Sequence, residues 1–257
     1  GLVELSFGTL PPDGIVVGVD VDDDAIRSAR DRLRRFGERF QTVQGNFRRL
    51  SSLLQDAPVF SREEAKADGI LFDLGGSTRQ FLSPERGFSL TADGPLDMRM
   101  DRTLPVTAAD VVAEEREDRL AEIFKDLGEE RFARRVARNL VRRRTRSPIR
   151  TTRELADCVA EAVGPRRGRL HPATRVFMAL RICVNEEMEA LEEGLREAPR
   201  SLKPGGRFLV LTYHSLEDRR TKHAFRDSTK GAPPRFALLF RKPLIPSPRE
   251  RRENPRS

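Results

Sequence analysis

Residues 211–220, "LTYHSLEDRR", place several reactive side chains at the end of an apolar run. Tyr213 is the only tyrosine of the chain, and His214 is one of three histidines. A buried strand tolerates such groups poorly, because each buried polar group needs a hydrogen-bond partner. Histidine accepts a proton near neutral pH. The pattern predicts a site at this strand end, with Glu217 as an orienting group, unless His214 and Ser215 only cap and cross-link the strand.

Three other residues follow apolar runs and are candidates for ligand binding: Asp20, Phe47 and Asp73. Asp20 either opens a turn or accepts hydrogen bonds from both hydroxyls of a ribose, as in NAD enzymes and in methyltransferases that use S-adenosylmethionine. Phe47 either belongs to the core or lies against an adenine. Asp73 either caps a turn or contacts a ligand, because the two glycines after it allow close approach to the backbone.

Apolar runs alternate with helical patterns in the first part of the chain, which predicts parallel βαβ units in an open α/β sheet. The predicted strands are 15–20, "FQTVQGN" at 40–46, "GILFDLGG" at 69–76, "RFLVLTYHS" at 207–215 and a last one in "FALLFRKPL" at 236–244. A helix is predicted from about residue 23 to 36, since the acids at its start suit a helix amino terminus. In such sheets ligands bind beyond the carboxyl ends of the strands.

Residues 105–170 break this alternation and are predicted to form an inserted helical subdomain. Apolar residues recur there at steps of three and four: Leu120, Ile123, Phe124 and Leu127, then Phe132, Val136 and Leu140. We therefore assign residues 1–104 and 171–257 to an α/β domain. The next helix carries an apolar stripe from Phe177 to Leu195 and is predicted to pack on the sheet. The preceding loop "DGPLDMRMD" either closes over a ligand or anchors the helices.

The charge distribution predicts a polyanionic partner. The net charge is +8, and residues 131–150 contain nine arginines and no acid. Guanidinium groups match phosphate geometry, so Arg142, Arg143 and Arg144 are predicted to contact nucleic acid, unless they only form a solvated helix face. Cys158 and Cys183 are interpreted as reduced thiols, and no metal site is predicted. No apolar run approaches the roughly 18 residues that span a bilayer.

Several segments together resemble one family: "ERGFS", "DGPLDMRMD", "GEERFARRVARNLVRRR", "HPATR", "HSLEDR" and "ENPRS". They are similar to the bacterial small-subunit ribosomal RNA cytosine N4-methyltransferases, the MraW family, and to their mitochondrial counterpart. The resemblance covers most of the chain from Asp20 onward. It implies a Rossmann-like, S-adenosylmethionine-dependent methyltransferase sheet with an inserted helical subdomain.

The resemblance also implies cofactor contacts by matched position: Asp20 at the ribose, Phe47 near the adenine, and Asp73 and Gln80 after the third strand. The family's "GGH" loop, which meets the methionine end of the cofactor, does not appear. By matched position Gly1 corresponds to its second glycine, and Leu2 stands where its histidine would be. The first strand of the family's sheet is accordingly expected to be missing from this chain. We expect such a chain to be unstable and to bind the cofactor poorly.

The implied activity is methyl transfer to the exocyclic N4 of a cytidine in small-subunit ribosomal RNA. Asp73 and His214 are then the candidates for orienting the amine and accepting its proton. Tyr213 is a candidate stacking face for the cytidine. The expected partner is small-subunit ribosomal RNA or the small ribosomal subunit, without a membrane, and a homodimer is an open alternative. The expected location is the cytoplasm for a bacterial source, or the mitochondrial matrix or a plastid for a eukaryotic one.

Two other functions remain as alternatives at this stage. A Rossmann oxidoreductase would share Asp20, but it predicts a G-x-G-x-x-G motif before the first visible strand, and the visible chain has none. A noncatalytic RNA-binding or ribosome-assembly protein would keep the methyltransferase fold without the chemistry. Binding of S-adenosylmethionine separates these alternatives.

Overall fold

Four strands form two parallel pairs in the computed structural model, which describes residues 8–60, 66–164, 171–230 and 236–253. The first pair joins β1 (Val16–Asp20) to β2 (Phe40–Gln44), and the second joins β3 (Ala67–Asp73) to β4 (Leu202–Leu211). The predicted α/β class is therefore confirmed. The sequence predicts one continuous open sheet, whereas the strands of the described residues form two separate two-stranded sheets.

Helices occupy most of the remaining described chain. In chain order they are α1 (Asp23–Leu33), α2 (Leu50–Gln55), α3 (Thr78–Leu82), α4 (Ala108–Glu114), α5 (Glu117–Asp126), α6 (Ala133–Arg144), α7 (Thr152–Val163), α8 (Thr174–Val184), α9 (Glu187–Glu197), α10 (Ser215–Ser228) and α11 (Pro248–Glu253). Short 3-10 turns lie at Arg34–Arg39, Phe47–Arg49, Pro58–Phe60, Pro84–Arg86 and Ala198–Ser201.

The helices α4 to α8 share the largest hydrophobic core of the described residues. Its fully buried members include Val112, Phe124, Leu140, Leu155 and Leu180. Two residues of the preceding loop, Leu96 and Met98, are buried in the same core. The core thus extends beyond the predicted insertion on both sides, and the predicted domain boundaries stay a prediction.

A second core joins the strands to α9. Phe72 of β3, Leu191 and Leu195 of α9 and Leu50 of α2 are buried together in it. Val17 and Val19 of β1 pack against the same cluster. The two strand pairs therefore share one hydrophobic layer, which fixes the carboxyl ends of β1 and β3 relative to α9.

Two predicted elements are wrong. Residues 236–244 form no strand, and their large apolar side chains, such as Leu239 and Phe240, are exposed. The single helix expected through Phe177 and Leu195 is two helices, because α8 ends at Val184 and Glu186 adopts a left-handed conformation with φ 48°. The apolar spacing continues across this break, so the pattern did not reveal it.

The described residues carry no helix of the length and apolarity that crossing a membrane requires. They also contain no group of three or more His, Cys, Asp or Glu residues arranged to hold a metal ion. Cys158 is buried and Cys183 is partly buried, and both are free thiols. Burial raises the pKa of the Cys158 thiol to about 11, so this thiol is unreactive at neutral pH.

Candidate active site

Asp73 and Tyr213 meet at the carboxyl ends of β3 and β4. Asp73 is the last residue of β3 and pairs with Leu211, the last residue of β4. The Tyr213 hydroxyl donates a hydrogen bond of 2.7 Å to Asp73 Oδ1. Both residues are exposed, and no other described residue donates to the Asp73 carboxylate. An acceptor oxygen beside an aromatic ring is therefore open to a ligand at this edge.

The Tyr213 hydroxyl stays protonated over the physiological range. Desolvation, followed by the hydrogen bond to Asp73, raises the pKa of Tyr213 to about 12. The turn after Asp73 brings the backbone close to this ring, since a Cβ on Gly75 would lie 3.8 Å from it. Gly75 has φ 83°, a conformation that favours glycine. The pair is thus a carboxylate held by a neutral hydroxyl donor.

His214 faces the protein interior. Its side chain is 12% exposed, and neither ring nitrogen has a hydrogen-bond partner among the described residues. Nε2 lies 3.2 Å from Oε1 of the buried Glu217. The other Glu217 oxygen accepts the Tyr213 backbone N–H at 2.7 Å. The structure therefore joins Tyr213 to Asp73 but turns the imidazole of His214 toward Glu217, and its predicted catalytic role stays a prediction.

In the alternative interpretation, His214 and Ser215 only cap and cross-link the strand end, and the structure shows a cross-link from Ser215. His214 is the amino-terminal cap residue of α10, but its side chain makes no capping bond. The Ser215 hydroxyl donates to Glu129 Oε2 at 2.8 Å, and Arg219 lies 3.3 Å from the other Glu129 oxygen. The start of α10 is thus fixed to the turn between α5 and α6.

An ion pair with little exposure joins Arg181 at the end of α8 to Glu187 at the start of α9. Arg181 donates two hydrogen bonds, of 2.8 and 2.9 Å, to the carboxylate of Glu187. Burial raises the pKa of Glu187, the charge of Arg181 lowers it, and the charge of Glu217 raises it further. His214 is close enough to lower the same pKa. Two carboxylates, one guanidinium and one imidazole therefore share this region.

Asp20 lies at the carboxyl end of β1 with an exposed face. Its Oδ1 accepts the backbone N–H of Asp22 at 2.8 Å. Desolvation by the surrounding chain is the largest influence on this carboxyl and raises its pKa, whereas the backbone N–H groups of Asp22 and Val21 both lower this pKa. Asp20 ends its strand as the sequence predicts, and its contact with a cofactor ribose stays a prediction.

A buried network lies directly behind Asp20. Asp22 caps α1 by accepting the Asp24 N–H, and its Oδ2 accepts from Gln80 at 2.7 Å and from Arg86 at 2.8 Å. The Gln80 carbonyl oxygen accepts the Ser77 N–H in a capping box of α3. Both ends of the Gln80 amide are therefore used inside the protein, and its predicted contact with the cofactor stays a prediction.

Phe47 packs on the second core. Its ring centroid lies 4.9 Å from that of Phe72. It also lies directly over α9, because a Cβ on Gly194 would approach the ring to 2.5 Å. The ring is half-buried. This packing matches the core alternative, and the predicted contact with an adenine stays a prediction. Gly1 lies outside the described residues.

The loop of residues 93–101 is anchored to the helices, and its closure over a ligand stays a prediction. Leu96 N–H donates to Arg150 O at 2.8 Å, and Ala109 N–H donates to Leu96 O at 2.8 Å. Met98 is 1% exposed and has φ 61°. On its other side the loop is gripped by Arg86, which donates to Arg99 O and Met100 O.

The arginines of α6 separate into two groups. Most are exposed: Arg134, Arg135, Arg138, Arg142 and Arg143. Arg144 instead donates a hydrogen bond of 2.6 Å to Val112 O and so attaches α6 to α4. Of the three arginines that the sequence singled out, Arg142 and Arg143 present charge to solvent, whereas Arg144 also has a structural contact.

The comparison with known proteins agrees with the predicted family. The model of the MraW methylase family matches residues 8–257. The chain belongs to this family. A relative from Trichlorobacter lovleyi is 44% identical, over 100% of this chain and 85% of the relative. Relatives from Syntrophotalea carbinolica (45%, with 100% and 85% covered) and Cyanothece sp. (45%, with 96% and 78% covered) carry the same name, ribosomal RNA small subunit methyltransferase H.

Membership of the MraW methylase family establishes that the chain is a methyltransferase. The predicted family is confirmed, and the oxidoreductase alternative is excluded. The segments that carried the resemblance lie next to the site. Arg86 of "ERGFS" donates a hydrogen bond to the loop "DGPLDMRMD", and "HSLEDR" forms the start of α10.

Sequence reasoning missed three residues that shape this site: Asp22, Arg86 and Asn185. Asp22 follows Asp20 by two positions, and its burial depends on Arg86, which is 64 residues away. Arg86 lies inside a segment that carried the family resemblance, but its role and that of Asn185 depend on long-range contacts. The available signal was a lone arginine between the turn residues "SPERG", too weak by itself to indicate burial.

Replacement of Asp20 with alanine is expected to weaken cofactor affinity, because the change removes an acceptor for two ribose hydroxyls, worth about 1–3 kcal/mol. RNA affinity should change little. Calorimetric titration of the full-length protein with S-adenosylhomocysteine, and a separate titration with RNA, measure the two effects. An equal loss of both affinities would contradict this role of Asp20.

Proposed function

We propose that the chain transfers a methyl group from S-adenosylmethionine to the exocyclic N4 of a cytidine in small-subunit ribosomal RNA. The observation that carries this proposal is the Asp73–Tyr213 pair at the strand ends, in a chain of the MraW methylase family. The relatives named above are small-subunit ribosomal RNA methyltransferases by name. The choice of N4 rests on the resemblance of the family segments.

The residues at the carboxyl end of β1 fit the ribose of this cofactor. Asp20 is exposed at the end of β1, so its carboxylate is available to a ribose hydroxyl. The carboxylate cannot swing away freely, since Oδ1 holds the Asp22 N–H and Asp22 is itself fixed by Gln80 and Arg86. S-adenosylmethionine, when bound, supplies an electrophilic methyl group. Phe47 is the proposed residue nearest the adenine.

Asp73 is the proposed group that orients the target amine. The lone pair of an exocyclic amine is delocalised into the ring, so a hydrogen bond from the amine N–H to a carboxylate increases its nucleophilicity. The oxygen of Asp73 that Tyr213 does not use is exposed and can accept this hydrogen bond. The same carboxylate can take up the proton that the amine loses. The exposed Tyr213 ring offers the cytosine a stacking face.

His214 is proposed to support the site from the protein interior. Its nitrogens are buried, and Glu217 links it to the Tyr213 backbone. A direct role as proton acceptor would require the imidazole to leave this position. Its contact with Glu217 instead supports a role in holding Tyr213 against Asp73.

We propose that the two strand pairs belong to one Rossmann-like sheet. The shared core that joins β1 to β3 and β4 supports this arrangement. Residues 105–170 are the proposed inserted subdomain that bears the RNA-binding arginines, on an α/β domain of residues 1–104 and 171–257. The relatives named above are bacterial, and a bacterial source implies action on ribosomal RNA in the cytoplasm. A homodimer stays an alternative to a monomer.

The exposed arginines of α6 are the proposed contacts with RNA phosphates. Replacement of Arg142 and Arg143 with alanine should weaken RNA binding and flatten its dependence on salt, because fewer counterions are released; each lost phosphate contact lowers the slope by about 0.7–0.9. Fluorescence anisotropy at several salt concentrations measures the slope. Arg144→Ala is the comparison, since it should lower stability through its contact with Val112. An unchanged slope in the double variant would identify these arginines as a solvated face.

The proposed activity is tested with the full-length protein, small ribosomal subunits or their RNA, and S-adenosylmethionine labelled in the methyl group. The expected product is N4-methylcytidine, identified by mass spectrometry of the digested RNA. Label in another nucleoside would change the assigned position. Binding of RNA without transfer would favour the noncatalytic assembly protein.

A further inference from the structure

Three consecutive residues at the break between α8 and α9 contact three different parts of the protein around the candidate site. They are Asn185, Glu186 and Glu187. α8 ends just before them, and Glu186 has φ 48°, a left-handed conformation that is uncommon outside glycine and asparagine. The turn at Glu186 makes the three side chains diverge, whereas a continuous helix would space them by a fixed angle. Such strained positions persist where surrounding contacts hold them.

Asn185 holds the 93–101 loop. Its Oδ1 accepts the Met100 N–H at 2.6 Å, and its Nδ2 donates to Met98 O at 2.8 Å and to Arg181 O at 2.8 Å. The carbonyl of Met100 accepts from Arg86. Asn185 therefore binds the backbone N–H of Met100, and Arg86 binds its carbonyl.

The Arg86 end of this chain of contacts leads to Asp20. Arg86 is buried and pairs with the buried Asp22, whose N–H is bound by Asp20 Oδ1. A shift of Asp20 toward a ligand would therefore displace Asp22. Arg86 would have to move with Asp22, because an unpaired buried charge is costly.

The other end leads to Tyr213 and Asp73. Arg181, whose carbonyl accepts from Asn185, donates twice to Glu187. The start of α9 packs on the start of α10, because Met188 and Leu216 are buried in one hydrophobic cluster. Glu217 in α10 accepts the Tyr213 N–H. Tyr213 in turn donates to Asp73. The two ends of the site are thus joined by hydrogen bonds and by the packing of α9 on α10.

Glu186 adds a third branch. Its Oε2 accepts from Arg48 at 2.9 Å, and Arg48 follows Phe47 in the turn after β2. Glu186 is exposed, so this contact alone contributes little. It places the start of α9 beside the turn that carries the proposed adenine contact.

We propose that the segment Asn185–Glu187 couples the binding of the methyl donor to the binding of the RNA target, with Asn185 as the main link. The inference rests on the proposed function, because it takes Asp20 and the Asp73–Tyr213 pair as the cofactor and target ends of one site. Asn185 is a positioning residue: it touches neither ligand and acts through the backbone of Met98 and Met100 and through Arg181. Cofactor binding fixes the position of Asp20. Through Asn185 this stabilises the positions of Asp73 and Tyr213 that the RNA target requires.

The test compares the RNA affinity of the full-length protein without and with saturating S-adenosylhomocysteine, which permits no turnover. The RNA probe is a transcript of small-subunit ribosomal RNA. In the wild type we expect S-adenosylhomocysteine to tighten RNA binding about 10-fold, within the usual range of coupling of roughly 5–150-fold. In Asn185→Ala the ratio should fall to within about twofold of 1, because the link between the two ends is lost.

Thr152→Val is the matched control. Thr152 is buried and, through its hydroxyl, accepts from Gly94 N–H and donates to Ala92 O, both at 3.2 Å, at the other end of the same loop region. The variant should lose stability but keep the 10-fold ratio. A merely structural role of Asn185 would affect both variants alike. Asn185→Ser, which keeps a short polar group at the helix end, replaces Asn185→Ala if that variant does not fold.

The outcomes separate the two proposals. A wild type that binds both probes without coupling, or an Asn185→Ala variant that retains the 10-fold ratio, would overturn the coupling and leave the proposed function standing. A wild type that binds no S-adenosylhomocysteine would overturn the proposed function and the inference together. Loss of coupling in Thr152→Val as well would show that general loosening of the loop, and not Asn185, carries the effect, and would also overturn the inference.

Discussion

Replacement of Asp73 with asparagine is expected to lower turnover by about a hundredfold or more, while cofactor affinity stays near that of the wild type. Groups that take part in proton transfer contribute about 10²–10⁴-fold to rate. Asparagine keeps the size of the side chain and an oxygen for Tyr213, but it cannot take up the proton that the amine loses. The measurement is single-turnover methylation of RNA at saturating S-adenosylmethionine, together with calorimetry of cofactor binding.

Asp68→Asn provides the control on the same strand. Asp68 lies near the opposite end of β3 and pairs with Lys203 at the surface. This variant removes one carboxylate from β3 without touching the strand end, so turnover should remain that of the wild type. Equal losses in both variants would indicate that β3 itself was disturbed. Full turnover in Asp73→Asn would reject the role of this carboxylate.

The contact between Tyr213 and Asp73 can be tested separately by titration of the Tyr213 hydroxyl. The chain has one tyrosine and no tryptophan, so the ultraviolet absorbance of tyrosinate reports Tyr213 alone. The Asp73 carboxylate is one of the causes that raise the pKa of Tyr213 to about 12, after desolvation. The absorbance should therefore rise at lower pH in Asp73→Asn than in the wild type. Coincident titration curves would contradict the contact.

The strand ends could be predicted from the sequence because each is a local pattern. An apolar run that stops at an acid indicates where a strand leaves the core, and Asp20 and Asp73 do end their strands. The direction of the side chains after β4 could not be predicted. β4 ends at Leu211, so the alternation of strand faces no longer applies to Tyr213 and His214. Their orientations depend on Asp73 and Glu217, which are tertiary and helix-cap contacts.

The errors in the fold have the same cause. The break between α8 and α9 depends on Asn185, whose hydrogen bonds reach residues 85 and 87 positions away. Helical periodicity cannot report such contacts, and the apolar stripe from Phe177 to Leu195 continues across the break. The apolar run at 236–244 has the composition of a strand, but a strand also needs a pairing partner. The described residues provide none for it.

Loss of Arg86 from its buried pair with Asp22 is expected to lower the stability of the protein strongly. Both side chains are 5% exposed, and Arg86 also donates to two backbone carbonyls. Arg86→Met keeps the length of the side chain but leaves the Asp22 charge without its cation. Removal of one partner of a buried pair costs about 3–5 kcal/mol. We expect about 3 kcal/mol, because Gln80 and the Asp24 N–H still donate to Asp22.

Urea unfolding of the full-length protein measures this free energy. Arg116→Met is the control: Arg116 forms an ion pair with Asp118, but its side chain is 82% exposed. An exposed pair contributes little to stability, so this variant should differ little from the wild type. Equal effects of the two substitutions would mean that Asp22 and Arg86 are not a buried pair in solution.

The double variant Asp22→Asn with Arg86→Met tests whether the loss comes from the stranded charge. Asparagine is also a good amino-terminal cap for α1, so the helix start should survive the change. If the unpaired carboxylate causes the loss, the double variant should be more stable than Arg86→Met alone, although it carries one more substitution. A double variant that is less stable by the sum of both single changes would instead assign the loss to the carbonyls of Arg99 and Met100. The grip of Arg86 on the 93–101 loop would then be its main contribution, and the ion pair with Asp22 a minor one.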